Sequence, residues 1–214
     1  MAPRPKAKPP TLVLFIRHGR TPTTGKVLPG RAKGLHLAAE GLAQADAVGR
    51  RLTALARVDA IYASPLERTR ETAGAIANQL GLAVKTDRGL LECDFGEWTG
   101  GELKALSRRP EWQVVQRHPS GFRFPGGESF REMQNRVVGA ARRLGDQHRG
   151  GTVVLVSHAD PIKAAVADAA GTHLDLFQRL VISPCSVTAI AYGESAPMVL
   201  TVNSLGALNE LRAS

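Results

Sequence analysis

Hydrophobic positions in this chain fall into two kinds of segment. Leu12-Val13-Leu14-Phe15-Ile16 and, after its opening threonine, the segment 152–156 are apolar runs, which predict strands buried on both faces. Residues 59–63 and 82–86 predict two shorter strands. Elsewhere the apolar positions recur at steps of three and four. Leu42, Ala45, Val48, Leu52 and Leu55 predict an amphipathic helix over 39–56, and Phe130, Met133, Val137, Ala141 and Leu144 predict another. Ser129 and Glu132 mark the start of the second helix with capping-box spacing. Ser64-Pro65 predicts an N-cap followed by proline at the first helical position, opening a helix that runs to Leu80 and ends at Gly81. Residues 22–34, with three glycines and two prolines, are a loop. Residues 89–128 read as loops and one helix over 102–117, forming a short cap. Residues 187–192 and 199–203 predict a hairpin at a sheet edge.

Strands alternating with helices predict an α/β fold, with three α/β/α layers around a mostly parallel central sheet. In such sheets chemistry gathers beyond the carboxyl ends of the strands. Both long apolar strands end in a histidine, the first in Arg17-His18-Gly19 and the second in Ser157-His158-Ala159-Asp160-Pro161.

Composition narrows the class. At 214 residues, 43% hydrophobic and 22% charged, the chain has enough apolar surface for one domain over 11–214. Residues 1–10, with Arg4, Lys6, Lys8 and several prolines, predict a solvated tail that lacks a signal peptide's apolar stretch. No run reaches membrane-spanning length. Cys93 and Cys185 lie far apart with no CxxC spacing, which fits a reducing, cytoplasmic setting and gives no metal signal. The formal charge is +9, and only 7 of the 28 basic residues are lysine. A coding bias toward arginine and a need for planar oxyanion recognition explain this equally well. Nucleic acid is a poor fit, because aromatics are 5% of the chain and no strand alternates basic with aromatic residues.

Phosphoryl transfer without a metal needs a nucleophile, positive charge on the equatorial oxygens and a proton donor for the leaving oxygen. The sequence supplies each: His18 as nucleophile, Arg17 and Arg68 as clamp, His158 as a second donor and Glu92 as acid. No Asp/Glu cluster has the spacing of a magnesium or calcium site, so the expectation is metal-independent chemistry with no cofactor. Each residue also has a plainer reading. A strand-end histidine is often structural, Arg68 and Arg70 would serve as solvated helix residues, and Glu92 could pair with any surface arginine. Residues 126–129 could be only a turn and a cap.

The segments together resemble the histidine phosphatase superfamily, also called phosphoglycerate mutase-like. Arg17-His18-Gly19 after a strand is similar to its signature. Gly30-Arg31 with Leu37, Gly41 and Gln44-Ala45 resembles its first loop and helix, and Ser64-Pro65-Leu66-Glu67-Arg68-Thr69-Arg70-Glu71-Thr72-Ala73 its second arginine motif. Leu91 to Gly100 resembles the segment bearing its proton donor, while Pro125-Gly126-Gly127-Glu128-Ser129 and Val156-Ser157-His158 complete the order over roughly residues 12–165. The resemblance implies a phosphohistidine mechanism with His18 attacking in line, Glu92 as acid and then base, and Arg17, Arg68 and His158 on the phosphoryl oxygens. Substrate contacts would come from Arg31, Thr24, Gly19, the Ala159 amide and Arg20. Arg20 and Thr24 depart from the family, which commonly has Glu or Gln and Asn at those places. Ala38 stands where a helix-capping Thr is usual.

Family mutases carry a long basic insertion between the acid motif and the Gly-Glu-Ser segment, whereas Glu92 and Gly126 are only 34 positions apart here. A short cap admits water, so the expected activity is hydrolysis of a small phosphorylated metabolite. A phosphomutase and an inert phospholigand-binding protein are the alternatives. Arg20, Lys26, Arg31, Lys33, Arg117, His118 and Arg123 suggest an anionic substrate. The C-terminal edge would permit a homodimer.

Overall fold

A computed structural model describes residues 9–208 of the chain. Most of the expected basic tail, residues 1–8, lies outside the described residues. Six strands form one sheet: β1 (Thr11–Arg17), β2 (Ala60–Ala63), β3 (Val84–Thr86), β4 (Thr152–Ser157), β5 (Val187–Tyr192) and β6 (Met198–Ser204), in the order β3-β2-β4-β1-β5-β6. β1, β2, β3 and β4 pair parallel, and β5 runs antiparallel to both of its neighbours. The helices are α1 (Ala39–Leu52), α2 (Glu67–Leu80), α3 (Leu103–Leu106), α4 (Pro110–Arg117), α5 (Phe130–Gln147) and α6 (Ala159–Ala169).

Successive strand residues point to opposite faces, and the central strand divides its apolar run accordingly. Leu12, Leu14 and Ile16 join Ala45, Val48 and Leu52 of α1 and Ala73 and Ile76 of α2 in one core. Val13 and Phe15 join Met133, Val137 and Leu144 of α5 and Ile162 of α6 in the other. This two-sided burial is why the strand carries no polar alternation, and it makes the three-layer α/β/α arrangement.

Register sets the site. Arg17 of β1 is the partner of Ser157 of β4, so the two strands end in step and deliver His18 and His158 to the same level. Ala63 of β2 pairs with Val156, which puts Ser64 beside them. The turn after His18 is held by a close backbone approach. A Cβ on Gly41 would lie 2.0 Å from the carbonyl oxygen of Arg20, so only glycine lets α1 approach here.

Three local expectations are corrected and two hold. Ser64 is not a helix cap: α2 starts at Glu67 with Leu66 in the cap position, and the Ser64 hydroxyl faces His158. The helix expected over 102–117 is two helices, because Pro110 supplies no N–H and forces Arg109 into extended backbone (φ −72°, ψ 141°). α1 ends at Leu52, and Leu42 is half exposed, since its stripe turns on Gly41, Ala45, Val48 and Leu52. The capping box at Ser129 and Glu132 forms in both directions and opens α5. The C-terminal hairpin forms with only its second strand, β6, at the edge.

Candidate active site

The His18 ring is buried, and its Nδ1 lies 2.7 Å from the carbonyl oxygen of Gly19. A carbonyl only accepts, so Nδ1 carries the proton and Nε2 keeps its lone pair. Burial first, then the charges of Arg68 and Arg17, hold the imidazole well below the usual histidine range. The ring is therefore neutral, with its nucleophilic nitrogen directed away from the backbone. His158 packs against it edge to face with centroids 5.2 Å apart. Nε2 of His158 lies 2.9 Å from the Ser64 hydroxyl, and burial together with Arg68 keeps this ring neutral also.

Arg17 is anchored from the C-terminal side of the chain. Its Nη1 donates to the carbonyl of Ile182 at 2.6 Å, and its own carbonyl accepts from the Cys185 amide at 3.0 Å. Arg68, on the first turn of α2, is fully buried and donates from Nη2 to the Gly30 carbonyl at 2.7 Å. The remaining donors matter more. Arg17 Nε, Arg68 Nε, Arg68 Nη1 and His158 Nδ1 are buried without a hydrogen-bond partner in the described structure. Leaving charged donors buried and unpaired is costly, and a set of them around one nucleophile is a site shaped for an oxyanion.

Glu92 completes the cluster from the loop after β3. Its Oε1 accepts from the Cys93 amide at 2.9 Å. Burial and the negative charge of Asp160 push its carboxyl up to about 7, against the pull of that amide, Arg68 and Arg17. A carboxyl in that range carries a proton to give and takes one back near neutral pH. The structure thus brings His18, Arg17, Arg68, His158 and Glu92 together.

Other expected contacts sit differently. Ala159 opens α6, where its amide is among the first-turn donors with no intrahelical acceptor. The Gly19 amide is taken by the Thr72 hydroxyl at 3.0 Å. Arg20 is exposed and pairs with Glu40 at 3.4 Å on α1. The Thr24 hydroxyl lies 2.9 Å from both the amide and the hydroxyl of Thr21. Arg31 is spent on the acid loop, donating from Nε to the Glu92 carbonyl at 2.9 Å and pairing with Asp94 and Glu128.

Ser64, Asp160 and Arg136 were missed as site residues. Ser64 could have been found by the rule that revealed the histidines, since it too directly follows a buried strand. Asp160 is two residues after His158. Arg136, inside α5, gives no local signal. Among the described residues no group of three or more His, Cys, Asp or Glu could hold a metal ion. Neither is any described helix long and apolar enough to cross a membrane.

Residues 13–205 match the histidine phosphatase superfamily (branch 1), and the chain belongs to that family. It is 33% identical over 207 residues to a bifunctional protein of Mycobacterium tuberculosis, covering 93% of this chain and 55% of that one. The chain thus spans about half the length of these mycobacterial relatives. It is 31% identical over 187 residues to phosphoserine phosphatase 1 of Hydrogenobacter thermophilus, covering 81% and 84% of the two chains. To a probable phosphoglycerate mutase of Salmonella choleraesuis it is 32% identical, covering 86% of each. Among solved structures, YhfR of Bacillus stearothermophilus superposes with a TM-score of 0.85 at 25% identity, covering 92% of this chain and 98% of that one.

Proposed function

We propose that this protein is a phosphomonoesterase working through a phosphohistidine on His18. The observation that carries the reading is the set of unpartnered buried donors on Arg17, Arg68 and His158 around an imidazole whose proton is fixed on Nδ1. In the first step the Nε2 lone pair forms the N–P bond as the ester P–O bond breaks. The electron pair leaves on the ester oxygen, which takes the Glu92 proton. The arginines and His158 hold the three equatorial oxygens, whose charge they neutralise in a buried site. In the second step water attacks phosphorus, Glu92 takes its proton, and the N–P bond electrons return to His18.

The short span between Glu92 and Gly126 favours water as the acceptor. The substrate class is a small phosphorylated metabolite, not a nucleic acid or a membrane lipid. Two buried free thiols fit a reducing cytoplasm, and edge strand β6 is where a second copy would pair.

The test is phosphate release from a panel of phosphomonoesters without any added bisphosphorylated compound, with quenched samples examined for an acid-labile phosphoenzyme. Release together with labelling that disappears in His18→Ala is the expected result. Isomerisation of a substrate without phosphate release would make the protein a mutase. Binding without turnover would make it an inert receptor.

A further inference from the structure

The Gly-Glu-Ser turn does more than start α5. The Ser129 hydroxyl caps that helix, but the side chain of Glu128, largely buried, points to the loop that carries Glu92. Its Oε1 accepts from Arg136 Nε at 2.9 Å. Its Oε2 accepts from Arg136 Nη2 at 2.9 Å, Arg31 Nη2 at 2.8 Å and the Asp94 amide at 3.2 Å. One carboxylate thus ties two guanidiniums from distant parts of the chain. Arg136 spends its other donors on backbone carbonyls around the acid, and Arg31 divides its own between the Glu92 carbonyl and the Asp94 carboxylate. Arg136 reaches Gly89 at 3.0 Å, Leu91 at 2.9 Å and Glu92 at 3.3 Å, and Arg31 reaches Glu92 at 2.9 Å.

The backbone is laced to the same turn. The Glu128 amide donates to the Asp94 carbonyl at 2.8 Å, and the Glu97 amide to the Pro125 carbonyl at 2.9 Å. A Cβ on Gly127 would lie 2.3 Å from the Asp94 oxygen, so the contact exists only with glycine there. Among the described residues the Glu92 carboxyl accepts one hydrogen bond, from the next residue's amide. Its position is accordingly set by the loop backbone, and the loop backbone is set by Glu128.

We propose that Glu128, with Arg136 and Arg31, is a positioning clamp that aims the Glu92 carboxyl at the leaving-group oxygen. Bidentate Arg–carboxylate pairs fix direction as well as distance, and a displacement of about 1 Å at a reacting group can cost ~10²-fold in rate. Arg31 on this view serves proton transfer and not the substrate's distal part. Its neighbour Gly30 accepts from Arg68, so the clamp and the phosphate-binding arginine share one loop.

The inference rests on the hydrolase reading, and leaving-group dependence separates the two. Glu128→Gln places a donor against Arg136 without changing size. With glycerol phosphate, whose alkoxide needs a proton to depart, its single-turnover rate of phosphoenzyme formation is expected to fall ~10²-fold. With p-nitrophenyl phosphate, whose phenolate departs without one, the single-turnover rate of phenolate release stays close to wild type, because the attack of water that Glu92 assists comes after that step, and KM for both esters is little changed. Glu92→Gln serves as the reference for that pattern. Arg31→Gln, which removes only one strut, gives the same pattern in weaker form and is measured beside Glu128→Gln, with thermal melts, should the latter fold poorly. Equal losses on the two esters in the folded variants, a KM effect alone from Arg31→Gln, or no loss at all would overturn the clamp. A wild type that hydrolyses neither ester nor any of the phosphomonoester panel would overturn the hydrolase reading itself.

Discussion

The Ser64 hydroxyl and Nε2 of His158 lie 2.9 Å apart across 94 residues of sequence. With the hydroxyl donating to Nε2, the single proton of the neutral ring sits on Nδ1, the nitrogen that has no partner in the described structure. Ser64 thereby turns His158 into a donor for a phosphoryl oxygen. Ser64→Ala is expected to lower kcat/KM about tenfold, the worth of one orienting hydrogen bond of about 1.4 kcal/mol. Steady-state kinetics on one phosphomonoester decide it, and unchanged kcat/KM would show that the tautomer is set by something else.

The acid should be visible in the pH profile. The protonated form of Glu92 is the reactive one, so kcat/KM falls as pH rises past about 7. Glu92→Gln loses this limb and keeps any titration of the substrate phosphate near pH 6. The sign for stability follows from the same displacement. A folded-state pKa raised above the ordinary 4.5 gives stability that is full below that value and lost as pH rises through about 7. Glu92→Gln is therefore expected to melt higher than wild type at about pH 8, with the gain vanishing toward pH 4.5. His18 and His158 act oppositely, because their lowered values give stability that is full above 6.5 and lost as pH falls.

Arg68 holds function at a cost to the fold. It is fully buried, and two of its nitrogens, Nε and Nη1, have no hydrogen-bond partner among the described residues. Arg68→Met is expected to raise stability by about 1–3 kcal/mol in phosphate-free buffer while lowering kcat by at least ~10²-fold. Inorganic phosphate at a hundred times its Kd should stabilise wild type by about 2.7 kcal/mol and the variant hardly at all. Melting curves with and without phosphate test both halves.

The start of α1 has room for improvement away from the chemistry. Ala38 occupies the cap position with extended backbone and no side-chain hydrogen bond. Ala38→Ser is expected to add about 1 kcal/mol, raising the melting temperature by about 2–4 °C, with kcat and KM unchanged. A lower melting temperature would mean that the hydroxyl cannot reach the first-turn amides.

Much of the fold was legible because its signals are local. Leu12 to Ile16 had to be covered on both sides, and Ser129 with Glu132 had to begin a helix. Even the break at Pro110 was written in the chain, in a residue that neither donates to the preceding turn nor tolerates its carbonyl. Leu42 misled because a periodic stripe names a set of faces, and Gly41 took the place against the Arg20 turn that a leucine would have been expected to fill.

The sequence by itself determined that two buried strands end in histidines, with an arginine built into the first, and that a second arginine on a helix start and an acid on a loop follow. Those facts depend on residue type and on spacing along the chain. Only the tertiary structure decided that Arg17 pairs in register with Ser157, that Ser64 faces His158, and that Arg31 turns to Glu128 and the Glu92 carbonyl. These contacts are chosen by which strand lies beside which and by competition among distant polar groups for the same few partners. Neither leaves a mark in the spacing of neighbouring residues.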